Sequence, residues 1–195
     1  MKVIIAKNQN DIDLCLKVRR TVFIEEQSVP EELEIDEFDT DTAQCTHLMI
    51  YDEDNLMGTF RVISEKQNEA HIQRLCILKE YRGRDFGKYA LQCADAFCLS
   101  NGYSRITLNS QCHAIKFYEK SGYTVVSDVF DDAGIPHVTM IKELDTQDFQ
   151  KKKQLFLNQK ELLDTFLNNH AITQAQYNKS YGDLKEKMNM QYIGE

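Results

Sequence analysis

One stretch constrains this chain more than any other, the run Ile72-Gln73-Arg74-Leu75-Cys76-Ile77-Leu78-Lys79-Glu80-Tyr81-Arg82-Gly83-Arg84-Asp85-Phe86-Gly87-Lys88. Residues 72–78 are apolar and β-branched enough to predict a strand. The end of the run opens a helix expected to reach about Ser100 and to stop at Asn101-Gly102. Phe86, Ala90, Ala94 and Phe97 then share one face, with Gly102 as a C-terminal cap. The first N–H groups of a helix lack intrahelical partners and sit at the positive end of its dipole, which makes such a turn a seat for phosphate or pyrophosphate. Arg82, Arg84 and Lys88 add charge, and Gly83 and Gly87 leave room for a ligand. The same residues also suit an ordinary strand–helix turn with a solvated basic rim. The turn is not a Walker A loop, because only three residues separate the glycines and Tyr89 stands where Ser or Thr is required. It also lacks the G-x-G opening of a dinucleotide fingerprint.

Around this stretch the pattern predicts a mixed α/β sheet. Residues 2–6 read as a strand and 11–20 as a helix, with Ile12, Cys15, Leu16 and Arg19 at helical spacing. From Glu25 to Asp41 there is no Lys or Arg. That run reads either as a solvated acidic loop or as an acceptor cleft whose carboxylates draw in an amine. Leu33, Ile35 and Phe38 within it suggest that it packs down. Residues 46–51 and 57–64 read as a hairpin leading into the strand of the opening run. After the long helix come a strand at 105–108, a helix at 112–120, a strand at 123–129, a turn at 131–134 and a strand at 136–141. The order is an antiparallel half followed by βαβ units.

Composition shifts after Leu144. Residues 1–145 are expected to form the main domain, and 146–195, polar and rich in Lys and Gln, a helical extension. Leu155, Leu162, Leu163, Phe166 and Leu167 mark one helix. Thr173 caps a second that carries Tyr177, Tyr181, Leu184 and Met188. A chain of 195 residues can bury a core without disulfides. No segment has the apolar length of a membrane span, and the N-terminus lacks a signal-peptide core. Six scattered cysteines without zinc spacing point to free thiols in a reducing cytoplasm and to no metal. A net charge of −8 argues against a general nucleic-acid binder.

The run Arg82-Gly83-Arg84-Asp85-Phe86-Gly87 resembles motif A of the GNAT acyltransferases, Arg/Gln-x-x-Gly-x-Gly/Ala, with Asp85 where the pattern has Gly. Ala114-Ile115-Lys116-Phe117-Tyr118-Glu119-Lys120-Ser121-Gly122-Tyr123 resembles that family's motif B. Val22-Phe23-Ile24-Glu25-Glu26-Gln27 with Val29-Pro30, and Gly134-Ile135-Pro136-His137-Val138, look like the ElaA/YjcF-type subgroup. The 22–23 region also bears a faint likeness to homoserine-lactone synthases, which would imply a longer acyl donor. Residues 162–181 look like the short helical-hairpin module called SHOCT, and an unrelated amphipathic hairpin fits them equally.

The GNAT resemblance implies a mostly antiparallel sheet with splayed central strands, flanked by helices, plus the C-terminal helical hairpin. It implies acetyl-CoA as co-substrate. The pantetheine arm would pair near Cys76 and Ile77, the pyrophosphate would sit on Arg82, Gly83, Arg84, Asp85, Phe86, Gly87 and Lys88, and Gln111 would join the cofactor site. An amine, from a small molecule or a protein, would attack the thioester directly. Tyr118 stands at the family's general-acid position; otherwise it is a surface residue of an amphipathic helix. An alkylammonium has a pKa near about 10, so a base helps. Glu26, Asp36, His47 and His137 are candidates, with Glu26 and His137 expected on the acceptor side. Cys112 and His113 are adjacent in a helix and point apart, so they do not read as a thiol–base pair. The alternative from another class is a non-catalytic acyl-CoA-binding module whose helical tail binds a partner or a second copy.

Overall fold

The computed structural model describes residues 1–193 apart from the side chain of Glu65. The elements run β1 (Lys2–Ile5), α1 (Gln9–Arg19), a π-helical segment (Arg20–Glu26), α2 (Glu31–Glu34), β2 (Cys45–Asp52), β3 (Asn55–Lys66), β4 (Glu69–Ile77) and α3 (Phe86–Ser100). There follow β5 (Arg105–Gln111), α4 (Ile115–Glu119), β6 (Thr124–Val125), β7 (Phe130–Asp132), β8 (Ile135–Glu143), α5 (Thr146–Asn168) and α6 (Gln174–Met188). One sheet holds every strand in the order β1-β2-β3-β4-β5-β8-β6, with β7 paired to β8. All pairs are antiparallel except β4–β5. The expected mixed, mostly antiparallel sheet is what forms.

The main core lies between the sheet and α3. Phe86, Ala90, Ala94 and Phe97 are buried there, as the helical spacing predicts, together with Leu48, Ile50, Phe60, Ile72, Ile106, Leu108 and Met140. The end of α3 closes as a Schellman motif. Gly102 has φ 84°, its N–H bonds the Leu99 carbonyl, and the Tyr103 N–H bonds the Cys98 carbonyl.

Three local expectations are corrected. Residues 123–129 are not one strand. Strand pairing stops at Val125 because the Ser127 hydroxyl accepts the Thr139 N–H at 2.8 Å, and the chain returns to β8 only at Phe130. Val125, Val126 and Val129 are exposed, so their apolar character does not report burial. The helix expected at 112–120 is a 3₁₀ turn, Cys112–Ala114, followed by the five residues of α4. Leu33 is exposed, whereas Ile35 and Phe38 are half-buried as expected.

The acidic run is not a solvated loop either. Arg19 of α1 binds Glu34 and Asp39, and Arg61 of β3 binds Asp36 and Asp39. Arg74 reaches Glu34 at 3.1 Å and Asp36 at 3.5 Å. Arg19, Glu34, Asp39 and Arg61 are almost wholly buried. The run's buried carboxylates are therefore held by arginines from outside it, as buried ions must be paired.

In the extension, α5 is capped by Asp145 and α6 by a capping box of Thr173 and Gln176. Phe149, Phe156 and Met190 form a cluster with Leu99 of α3. The chain after α6 then reaches the main core, where Tyr192 meets Phe97 edge to face at 5.6 Å. Four thiols, Cys15, Cys76, Cys93 and Cys98, are buried, and burial pushes each of them up from its ordinary value. Among the described residues no helix is long and apolar enough to cross a membrane.

Candidate active site

β4 and β5 pair only from Glu69–Arg105 to Ile72–Leu108. β4 nevertheless continues to Ile77 and β5 to Gln111, so the two strands part. A bulge in β4 accompanies the parting. Thr59 stands opposite Cys76 and Arg61 opposite Gln73, which leaves Arg74 and Leu75 to share one partner position. Arg74 takes φ 55°, the left-handed shape a bulge uses, and the added twist swings the end of the strand away from β5.

Backbone direction then follows from alternation. The Leu78 N–H bonds the Met57 carbonyl at 2.8 Å, so the N–H and carbonyl of Ile77 point the other way, into the gap. The backbone of Cys76 faces β3, and its thiol packs with Val18 and Val22. Gly58 matters here. A Cβ on it would lie 2.6 Å from the Cys76 carbonyl oxygen and 2.5 Å from Ile77 Cδ1. Only glycine lets β3 lie this close under the end of β4.

The start of α3 faces the same opening. Its first intrahelical bond runs from the Tyr89 N–H to the Asp85 carbonyl, so the N–H groups of Phe86, Gly87 and Lys88 have no intrahelical acceptor. Gly83 has φ 78° and Asp85 φ 60°. Asp tolerates the left-handed region better than most residues, and here its side chain makes no capping bond. Gly87 has a different reason to be glycine, since a Cβ would come within 3.0 Å of Phe117 Cζ. Arg84 lies over the Tyr81 ring, 5.8 Å from its centroid, and remains exposed, as does Lys88.

The π-helical segment ends beside this gap and touches both of its lips. Glu26 pairs with Arg82 Nη1 at 2.8 Å, and Gln111 Nε2 donates to Gln27 Oε1 at 2.8 Å. Arg82 Nε also donates to the Ile77 carbonyl at 2.8 Å. His137 stands opposite Gln111 in the β5–β8 ladder. Its ring stacks on Phe130, and its Nδ1 lies 2.8 Å from the Ile135 carbonyl. A carbonyl only accepts, so Nδ1 carries hydrogen and Nε2 of the neutral ring presents a lone pair.

Tyr118 projects from α4 against Phe117 and Tyr123, with ring centroids 5.0 and 5.7 Å away. Burial pushes its phenol well above the ordinary value, and the Cys76 sulfur adds to that push. Tyr118 and Cys76 are thus electrostatic neighbours, although one follows β5 and the other ends β4.

Residues 7–144 match the acetyltransferase (GNAT) domain. The chain belongs to the GNAT acetyltransferase family. It is 37% identical over 144 residues to the uncharacterized N-acetyltransferase YjcF of Bacillus subtilis (strain 168), covering 73% of this chain and all of that one. A putative N-acetyltransferase from Lactobacillus plantarum superposes with a TM-score of 0.68 at 29% identity, over 73% of this chain and 97% of the other. The PaiA N-acetyltransferase from Thermoplasma acidophilum, solved in complex with coenzyme A, shares the fold, with a TM-score of 0.56, 20% identity and 73% and 99% coverage.

Within this GNAT chain the predicted residues fall into two groups. Ile77, Arg82, Glu26, Gln111, His137 and Tyr118 border the gap or are tied to residues that do. Asp36 and His47 are instead engaged within the acidic run and its arginines. Asp36 is bound to Arg61, and His47 is buried with Nε2 at 2.8 Å from the Phe38 carbonyl. Gly58 and the bulge at Arg74 escape a reading of motifs, and Gln27, though it closes the Val22–Gln27 motif, is given no role by it. Gly58 carries a sequence signal of its own, a glycine in the middle of a strand pattern.

Proposed function

We propose that this enzyme transfers an acetyl group from acetyl-CoA to a primary amine by direct attack in a ternary complex. The observation that carries the reading is the parting of β4 from β5 beyond Ile72 and Leu108, with the Ile77 backbone turned into the gap and the open end of α3 beside it. The pantetheine arm finds strand-like partners at Ile77, while Cys76 contributes through its thiol side rather than its backbone. The diphosphate fits the N–H groups that open α3, with Arg82, Arg84 and Lys88 supplying charge. Family membership and the coenzyme A complex of the PaiA neighbour support acetyl-CoA as the donor.

In the reaction, the amine nitrogen bonds the thioester carbon, the C–S bond breaks, and the sulfur leaves with the electron pair. A backbone N–H near Ile77 stabilises the oxyanion formed on the way. Tyr118 stays protonated throughout the physiological range because burial raises it, so it is available to donate to the leaving sulfur. The amine's proton passes to His137 Nε2 or, through water, to Glu26. We place the enzyme in a reducing cytoplasm, where its six cysteines remain thiols. Calorimetry with CoA, followed by an amine panel read by thiol release, tests the proposal. Saturable heat and turnover support it, and a folded protein that takes up no CoA ends it.

The division into a catalytic unit of residues 1–145 and an appended hairpin, 146–195, is part of this reading. Leu155, Leu162 and Phe166 of α5 are exposed, which favours self-association through the hairpin. Leu162→Lys with Phe166→Lys should then halve the mass in solution, and an unchanged mass removes that role.

A further inference from the structure

The structure ties two residues assigned to opposite sides of the reaction directly to each other. Arg82, on the donor side, is held at two points: Nε on the Ile77 carbonyl and Nη1 on Glu26, both at 2.8 Å. Glu26 ends the π-helical segment, and its neighbour Gln27 grips Gln111 at the end of β5. The segment therefore forms a strap from the α3 side of the gap to the β5 side, and Arg82 is its attachment on the α3 side.

Three other carboxylates of the acidic run are committed elsewhere. Glu34 and Asp39 are buried on Arg19, Arg61 and Arg74, and Asp36 is held by the buried Arg61 through both of its oxygens. Removing an arginine from such a site would strand a buried charge. The Glu26–Arg82 pair differs, because its side chains are 27% and 42% exposed. An exposed pair is weak, and a diphosphate offers the guanidinium charge-assisted bonds to more than one oxygen.

We propose that Glu26 and Arg82 are an exchangeable pair that links donor and acceptor sites. The diphosphate takes Arg82 from Glu26, and the carboxylate so released turns to the acceptor's ammonium. Glu26 acts here as an acceptor-binding residue. The linkage is reciprocal: whatever CoA contributes to acceptor binding, the acceptor contributes to CoA binding. It also sets the acceptor class, an amine that arrives as a cation and needs one carboxylate rather than an acidic cleft. The inference rests on the acetyl-CoA reading above.

The test measures CoA binding by calorimetry in the full chain. Glu26→Gln removes Arg82's competing partner, and CoA should bind about two- to fivefold tighter, the range that an exposed ion pair spans. Glu25→Gln, which removes an equal charge with no tie to Arg82, should leave the affinity unchanged. In an Arg82→Gln background, Glu26→Gln should have no effect. As a second readout, the 13C carboxyl resonance of Glu26, assigned by its loss in Glu26→Gln, should move when CoA is added to the wild type. If the wild type binds CoA but Glu26→Gln binds it equally or more weakly, or the resonance stays still, the linkage is overturned while the acetyl-CoA reading stands. If the wild type takes up no CoA, both fall.

Discussion

Asp85 holds a backbone shape that costs an L-residue about 1 kcal/mol and that glycine adopts freely. It also places a carboxylate at the start of α3, which stabilises the helix by about 0.3–1 kcal/mol. The two effects nearly cancel, so Asp85→Gly should leave the melting temperature close to that of the wild type. A diphosphate feels the carboxylate differently, as a like charge. CoA should therefore bind the glycine variant severalfold tighter, which calorimetry reads directly. Tyr118 tests the other end of the reaction. Its phenol stays above the range of a thiol near about 8.5, so it serves better as a donor held on the sulfur than as a strong acid. Tyr118→Phe should lower kcat about 100-fold and leave the CoA Kd unchanged. Gly87→Ala would press a methyl against Phe117, next to Tyr118. Overpacking of this kind costs about 1–3 kcal/mol, so a lower melting temperature should accompany reduced kcat.

At the scale of elements, the acidic run is informative because its sequence shows charge without showing partners. Nothing within residues 25–41 indicates that Arg19, Arg61 and Arg74 will converge on it from α1, β3 and β4. The π-helical segment is equally hidden, since its apolar spacing continues that of α1 and only tertiary contacts favour the wider turn. The α3 turn was legible for the opposite reason. Its glycines, cations and helix start are local, and local signals survive in a sequence. The parting of β4 from β5 was legible only through family resemblance, because it depends on a bulge at Arg74 that no composition marks.

The folded acidic run also sets a pH response. Burial holds the His47 imidazole below its ordinary value, with Arg61 and Arg19 acting in the same direction and Asp39 and the Phe38 carbonyl opposing. As pH falls, the unfolded chain takes that proton first, so stability is full above about pH 6.5 and declines below it. Burial pushes the Asp36 carboxyl up, but Arg61, the Phe38 N–H and Arg74 together outweigh burial and hold it below the ordinary value. Its contribution is present above about pH 4 and is lost as pH falls further. Denaturant midpoints across pH 3–8 should show both declines, and His47→Gln should remove the upper one.

For the whole molecule, the extension is more than a passenger. The sequence shows the two helices and the Thr173 cap but not Tyr192, which lies beyond both and packs on Phe97 in the main core. Ending the chain at Leu144 should therefore lower the melting temperature by exposing Phe97, Leu99 and Cys93, even if the sheet remains folded; near-ultraviolet circular dichroism and a thermal scan measure this. The distribution of sulfur has a practical consequence. Cys15, Cys76, Cys93 and Cys98 are shut away from solvent, whereas Cys45 and Cys112 are half-buried; the Cys45 thiol is held on the Phe38 carbonyl at 3.2 Å, and Cys112 follows Gln111 at the lip of the gap. A mild alkylating reagent should thus mark the native protein beside its reaction centre before the interior sulfurs. The rate of that marking, followed by mass spectrometry with and without a bound thioester, would turn the enzyme into its own occupancy gauge.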